Sequence, residues 1–191
     1  MQSFPPDGVA VVIGAGGGIG GAIADGLVAS AAFRSVRRFS RSGPTPLRLE
    51  DDASIRAAAD SLEDAEVRLV FDATGLLHAP GRLPEKRLED IDAAFLAANF
   101  AVNAIGPALL MKAFLPRLPA RGKSVFATLS ARVGSIGDNR LGGWYAYRAS
   151  KAALNQLVRT VAIELGRRRP DAVCVALHPG TTATPLSEPF A

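Results

Sequence analysis

Val9-Ala10-Val11-Val12-Ile13-Gly14-Ala15-Gly16-Gly17-Gly18-Ile19-Gly20-Gly21 decides the reading of this chain. Its first five residues are apolar and rich in β-branched side chains, the pattern of a strand buried on both faces. They run straight into a glycine-rich turn. Ala22 to Ala32 then has helical spacing, with Ile19, Ile23, Leu27 and Val28 as an apolar stripe. In the order strand, glycine turn, helix, the glycines let the backbone turn sharply and approach a pyrophosphate. The free N–H groups and positive dipole end of the helix would hold that anion. The stretch predicts a dinucleotide site, with Gly14, Gly18, Ile19 and Gly20 forming the cradle, in preference to a flexible turn.

The same alternation continues outward. A second strand is expected around Val36 to Phe39, ending in Ser40-Arg41-Ser42. An NAD-preferring fold ends this strand in an acid that grips the ribose 2′-hydroxyl. No acid occurs between Asp25 and Glu50, and Ser40 and Arg41 suit a 2′-phosphate, so NADP(H) is favoured over NAD(H). Glu50 to Leu62 reads as a helix with acids in its first turn, and Val67 to Phe71 as a buried strand followed by Asp72-Ala73-Thr74-Gly75. Leu88 to Leu115 is a long apolar helical stretch with Asn99 and Asn103 as polar islands and Pro107 near a bend. A buried amide must be bonded, so Asn103 is expected to take the carbonyl freed by Pro107 or to hold a water. Gly122 to Ser130 is a turn and a strand that delivers Ser130 at its C-terminal end, the edge where ligands bind in open α/β sheets. A helix from Tyr147 to Leu165 and a strand from Ala172 to Leu177 follow, with Cys174 as a small core residue. Strands alternating with helices predict an α/β fold, a Rossmann-type doubly wound parallel sheet in three α/β/α layers.

Composition narrows the function classes. The 191 residues, 48 % of them hydrophobic, suffice for one domain, 1–191, with a sizeable core. One cysteine excludes an intramolecular disulfide and a multi-cysteine metal site. His78 has no partner histidine at ligand spacing, so no metal is expected. No apolar run is read as approaching the length of a membrane span, and Met1 to Asp7 lacks the pattern of a signal peptide. A cytoplasmic protein is the expectation. The net charge of +4 comes from scattered arginines, and Arg167-Arg168-Arg169 precedes Pro170 at a helix C-terminus, where cations complement the dipole. Nothing there argues for nucleic acid as a partner.

The chemistry-bearing stretch is Trp144-Tyr145-Ala146-Tyr147-Arg148-Ala149-Ser150-Lys151. A phenol and an ammonium four residues apart share one helical face. The positive charge of Lys151 is expected to pull the Tyr147 phenol down from about 10 toward the working pH. That suits a general acid/base for carbonyl–alcohol interconversion. Tyr145, the other of the two tyrosines, has Ala149 at the matching position, and Lys accounts for only 4 of the 22 basic residues.

Together these motifs resemble the short-chain dehydrogenase/reductase family over nearly the whole chain. Gly14, Gly18 and Gly20 match its glycine pattern, with Ile13 where a Thr is common. Tyr147 and Lys151 match its Tyr-x-x-x-Lys, with Ser150 before the Lys. Asn103-Ala104-Ile105-Gly106 is similar to its Asn-x-x-Gly, and Pro179-Gly180 followed by Thr184 to its loop over the nicotinamide. Val133 to Gly137 and Trp144 to Arg148 are similar to the sniffer/C-factor-like carbonyl reductases. The resemblance implies hydride transfer between NADP(H) and a small carbonyl or alcohol substrate. Tyr147 would be the proton donor, Lys151 its pKa partner and ribose anchor, Ser130 the bond to the substrate oxygen, and Asn103 the support of a relay water. It also implies cofactor contacts from Ala73, Thr74, Gly75, Pro179, Gly180, Thr182 and Thr184, and a homodimer or homotetramer.

Three departures stand out. Asp72-Ala73-Thr74-Gly75 keeps the glycine of the family's Asn-Asn-Ala-Gly without its amides. Ser130-Ala131 places Ala131 where the catalytic serine is usual, so Ser130 or Ser135 must supply the hydroxyl, and Ser130 is favoured for its strand-end position. The sequence stops at Ala191, before the usual substrate-covering segment and last strand. The 172–177 strand would then be an apolar edge needing more chain or a partner to cover it. The rival reading is a nucleotide-binding signalling protein with little turnover.

Overall fold

The computed structural model describes residues 4–180, 182–184 and 186–188. Five strands, β1 (Val9–Ile13), β2 (Ser35–Phe39), β3 (Val67–Asp72), β4 (Ser124–Leu129) and β5 (Ala172–Leu177), form one sheet in the order β2-β1-β3-β4-β5. Every pairing is parallel. The chain leaves β1 for β2 on one side and returns to β3 on the other. The strand order therefore reverses at β1/β3, where α/β sheets open a crevice beyond their carboxyl ends.

Period-two alternation sorts the strand residues into two cores. Val11, Ile13, Val70 and Phe126 face α2 (Asp52–Asp60), α4 (Gly106–Phe114) and α5 (Tyr145–Arg168). Ala10, Val12, Leu69, Phe71 and Ala127 face α1 (Gly18–Ala29), through Ala24 and Leu27. These are the three expected layers. At the β5 edge Val173 is 46 % exposed and Leu177 39 %, while Cys174 is buried against Met111.

Two expectations need correction. The helix containing Asn103 is not one uniform α-helix. α3 (Ala93–Phe100) passes through a π-helical turn, Ala101–Ile105, into α4. Gly106 donates its N–H to the Ala101 carbonyl five residues back, immediately before Pro107, which has no N–H to give. The continuous helix Ala93–Arg117 also contains an 18-residue window of mean hydropathy 1.6, so by length and composition it could cross a membrane. Counting unbroken apolar residues hid this, because Asn99, Asn103 and Lys112 interrupt the run. In the fold it is a core helix, with Leu110, Met111 and Phe114 fully buried beneath the sheet.

Candidate active site

The site begins at the glycine turn. Gly14 adopts φ +78°, and a Cβ there would lie 3.1 Å from the Ala73 carbonyl carbon. A Cβ on Gly20 would overlap the Gly14 carbonyl oxygen, so only glycine lets α1 start this close to β1. Gly17 precedes α1 without a side-chain cap, and the first turn carries no acid. The helix therefore presents uncapped N–H groups at Gly18, Ile19 and Gly20, the condition for binding an anion.

From this turn a cleft of about 640 Å³ runs along the carboxyl edge of the sheet. Gly18, Ile19 and Gly20 line one end, Ala73, Thr74 and Gly75 the floor, and Ser130, Tyr147 and Lys151 the other end. Pro179, Gly180, Thr182 and Thr184 close one side, and a Cβ on Gly18 would touch Thr184 Cγ2 at 2.9 Å. Four of the expected residues lie outside the lining. Gly14 shapes the turn from behind. Ser40 packs against the turn, its Cβ 3.5 Å from where a Gly16 Cβ would be, and exposed Arg41 follows it. Asn103 sits beneath Gly75.

Asn103 is fully buried and clamps both main-chain polar groups of one residue, Leu76. Its Oδ1 accepts from Leu76 N at 2.8 Å and its Nδ2 donates to Leu76 O at 2.7 Å. Nδ2 also reaches Asn99 Oδ1 and Ser150 Oγ, and the Ser150 hydroxyl donates to the Tyr147 carbonyl at 2.9 Å. This corrects the expectation that Asn103 bonds the carbonyl freed by Pro107. The paired N–H and C=O of Leu76 satisfy the amide more completely.

Tyr147 lies in the first turn of α5 with Lys151 one turn on, the Lys151 Nζ 5.8 Å from the phenol ring centre. The amine does not pull the phenol down as expected. Burial pushes the Tyr147 phenol above its ordinary value, so it is protonated at neutral pH. Lys151 donates to Leu129 O at 2.8 Å, and burial pushes it down to about 8 against the pull of Asp72. Asp72, fully buried, accepts from Thr74 N, Thr74 Oγ1 and Thr128 Oγ1. Burial raises its carboxyl against those bonds and against Lys151. The departure from the family's amide has thus put a buried acid next to the buried amine.

The two serine candidates separate. Ser130 lines the cleft, but its hydroxyl donates to Asn155 Oδ1 at 2.6 Å. Ser135 lines a different cleft of about 250 Å³ and accepts from Asp138 N. The methyl of Ala131 lines the main cleft where a serine is usual. Asn155 was missed in the sequence, although it stands one turn after Lys151 on the same face, and Ser150 was noted in the motif without a role.

With this geometry in view, four similarities become informative. The family profile described as enoyl-(acyl carrier protein) reductase matches residues 14–191. The chain belongs to the short-chain dehydrogenase/reductase family. It is 43 % identical over 105 residues to the C-signal of Myxococcus xanthus, covering 54 % of this chain and 61 % of that one. It is 33 % identical over 138 residues to a 1-hydroxy-2-glutathionyl-2-methyl-3-butene dehydrogenase of Rhodococcus sp. strain AD45, covering 72 % and 57 %. The matches thus span less than two thirds of these relatives' length. Among solved structures, the NADPH-bound carbonyl reductase from chicken fatty liver superposes with a TM-score of 0.81 at 26 % identity, over 97 % of this chain and 80 % of that one.

Proposed function

We propose that this chain is an NADP(H)-dependent oxidoreductase that interconverts a carbonyl and an alcohol. One observation carries the reading: Tyr147 and Lys151 line the same cleft as the uncapped, glycine-bounded start of α1. When bound, the nicotinamide supplies the hydride. The chain's own residues bind, orient and move a proton. The N–H groups at Gly18, Ile19 and Gly20 hold the pyrophosphate, with Gly14 shaping the turn. Ser40 and Arg41 meet the 2′-phosphate. Ala73, Thr74 and Gly75 floor the passage toward the nicotinamide, and Pro179, Gly180, Thr182 and Thr184 cover it.

In the reductive direction Tyr147, kept protonated by burial, donates its proton to the carbonyl oxygen. Lys151 holds the ribose and steadies the charge left on the phenol. Ser130 reaches the substrate oxygen by turning from Asn155. Asn103 fixes the main chain on both sides of Leu76 and, through Ser150, the backbone of Tyr147. The rival reading of a binder without turnover draws no support from a site that keeps both the phenol and the amine.

The proposal extends to a homodimer or homotetramer, because Ile105 and Ile163 leave 54 % and 45 % of themselves exposed on the helices of one layer. A single monomeric species in sedimentation equilibrium would remove that extension. The catalytic reading is tested by following NADPH consumption against aldehydes, ketones and quinones. Reduction of at least one class is expected. Tight NADPH binding with no turnover on any of them would overturn it in favour of the rival.

A further inference from the structure

The helix that carries Tyr147 has no cap of its own. Trp144 precedes α5 in the left-handed region, φ 54°, after Gly142 and Gly143 at φ 64° and 63°, and offers no side-chain hydrogen bond to the helix. The missing acceptor comes from 61 residues earlier. Glu85 is 3 % exposed, and its Oε2 accepts from Ala146 N at 3.2 Å. Its main-chain carbonyl accepts from Trp144 N, and a Cβ on Gly143 would lie 3.3 Å from that same oxygen. Glu85 Oε1 has no hydrogen-bond partner among the described residues, so burial of this carboxylate is costly. An acid held at such a cost is explained by what its other oxygen holds. That is the N–H of the residue next to Tyr147.

We propose that Glu85 is a positioning residue for Tyr147: its carboxylate caps the first turn of α5 from the 76–90 segment and sets where the phenol stands in the cleft. The inference rests on the reading of Tyr147 as the proton donor. Asn103 and Ser150 fix the same turn from the other side, through the Tyr147 carbonyl. The backbone at Tyr147 is therefore braced on both sides, by the Ala146 N–H before it and by its own C=O after it. Displacement of a reacting group by about 1 Å costs about a hundredfold in rate, so release of one brace is read in kcat before it is read in binding.

The test compares Glu85→Gln with Glu85→Met in the full chain. The two are close in size and both uncharged, but only Gln keeps an acceptor for Ala146 N. We expect E85M to lose between about tenfold and about a hundredfold in kcat, with its NADPH dissociation constant within about twofold of wild type. E85Q should stay within about fivefold of wild type in kcat. Amide hydrogen exchange over 145–148 should quicken at least about tenfold in E85M and little in E85Q. Equal kcat in the two variants, a parallel loss of NADPH affinity, or unchanged exchange would overturn the proposal. If wild type binds NADPH and reduces nothing, the functional reading fails separately, and the exchange comparison alone still decides whether Glu85 holds the turn.

Discussion

Replacing Lys151 by Met should change how stability depends on pH, and the buried amine fixes the size of the effect. Lys151 is pushed from 10.5 down to about 8, chiefly by burial. The gap corresponds to about 3 kcal/mol. The sign follows from the folded value being the lower one. Below pH 8 both folded and unfolded chains carry the charge, and the folded state bears the whole cost of burying it. Between 8 and 10.5 the folded amine is neutral while the unfolded one is still protonated, so the cost fades as pH rises. From pH 7 to pH 9.5 wild type regains about 2 kcal/mol through this group. K151M never carries the charge, so its stability relative to wild type should fall by about 2 kcal/mol over that interval. Urea unfolding of both proteins at the two pH values measures the difference directly, and loss of the bond to Leu129 O cancels because it is common to both. A wild-type-to-variant difference that is the same at pH 7 and pH 9.5 would refute the claim that Lys151 is a buried, neutralisable amine.

Three further outcomes follow from named contacts. Gly20→Ala brings a Cβ within 2.7 Å of the Gly14 carbonyl carbon, so NADPH binding measured by fluorescence should fall at least about a hundredfold, as the turn reopens. Arg41→Ala should raise the NADPH dissociation constant about tenfold or more and leave NADH nearly unchanged; equal effects on the two would remove the 2′-phosphate assignment. Asn103→Leu strands the Leu76 N–H and C=O, and should cost about 2–4 kcal/mol in denaturant unfolding. A loss under about 0.5 kcal/mol would show that the clamp contributes little.

Much of the fold was legible because its signals are local. The buried strand at Val9–Ile13 and the last strand from Ala172 to Leu177 stand as read, while the helix after the glycine turn starts at Gly18 rather than Ala22 and ends at Ala29. The π-helical turn was not legible. Pro107 announces a disturbance, but whether the helix kinks, bends or gains a residue depends on what Asn103 can bond, and Leu76 lies 27 residues away. Reading Tyr147 from its spacing with Lys151 located the pair correctly and gave the wrong sign for the phenol. Sequence spacing shows the charge, whereas desolvation is a property of the packed cavity. Glu85 was invisible for the same reason. Nothing in Leu83-Pro84-Glu85-Lys86 distinguishes it from a solvated surface acid until the fold brings it to the start of α5. Ser130 shows the reverse case. Its strand-end position was right, while the direction of its hydroxyl was set by Asn155 on another element.

The most direct trial of the account is Tyr147→Phe, which removes one oxygen from the cleft and leaves the ring. NADPH should bind within about twofold of wild type, because the glycine turn and Lys151 are untouched, while turnover on whichever carbonyl proves to be a substrate should fall at least about a thousandfold. Turnover retained within tenfold of wild type would contradict the account, since the proton would then come from somewhere other than this phenol.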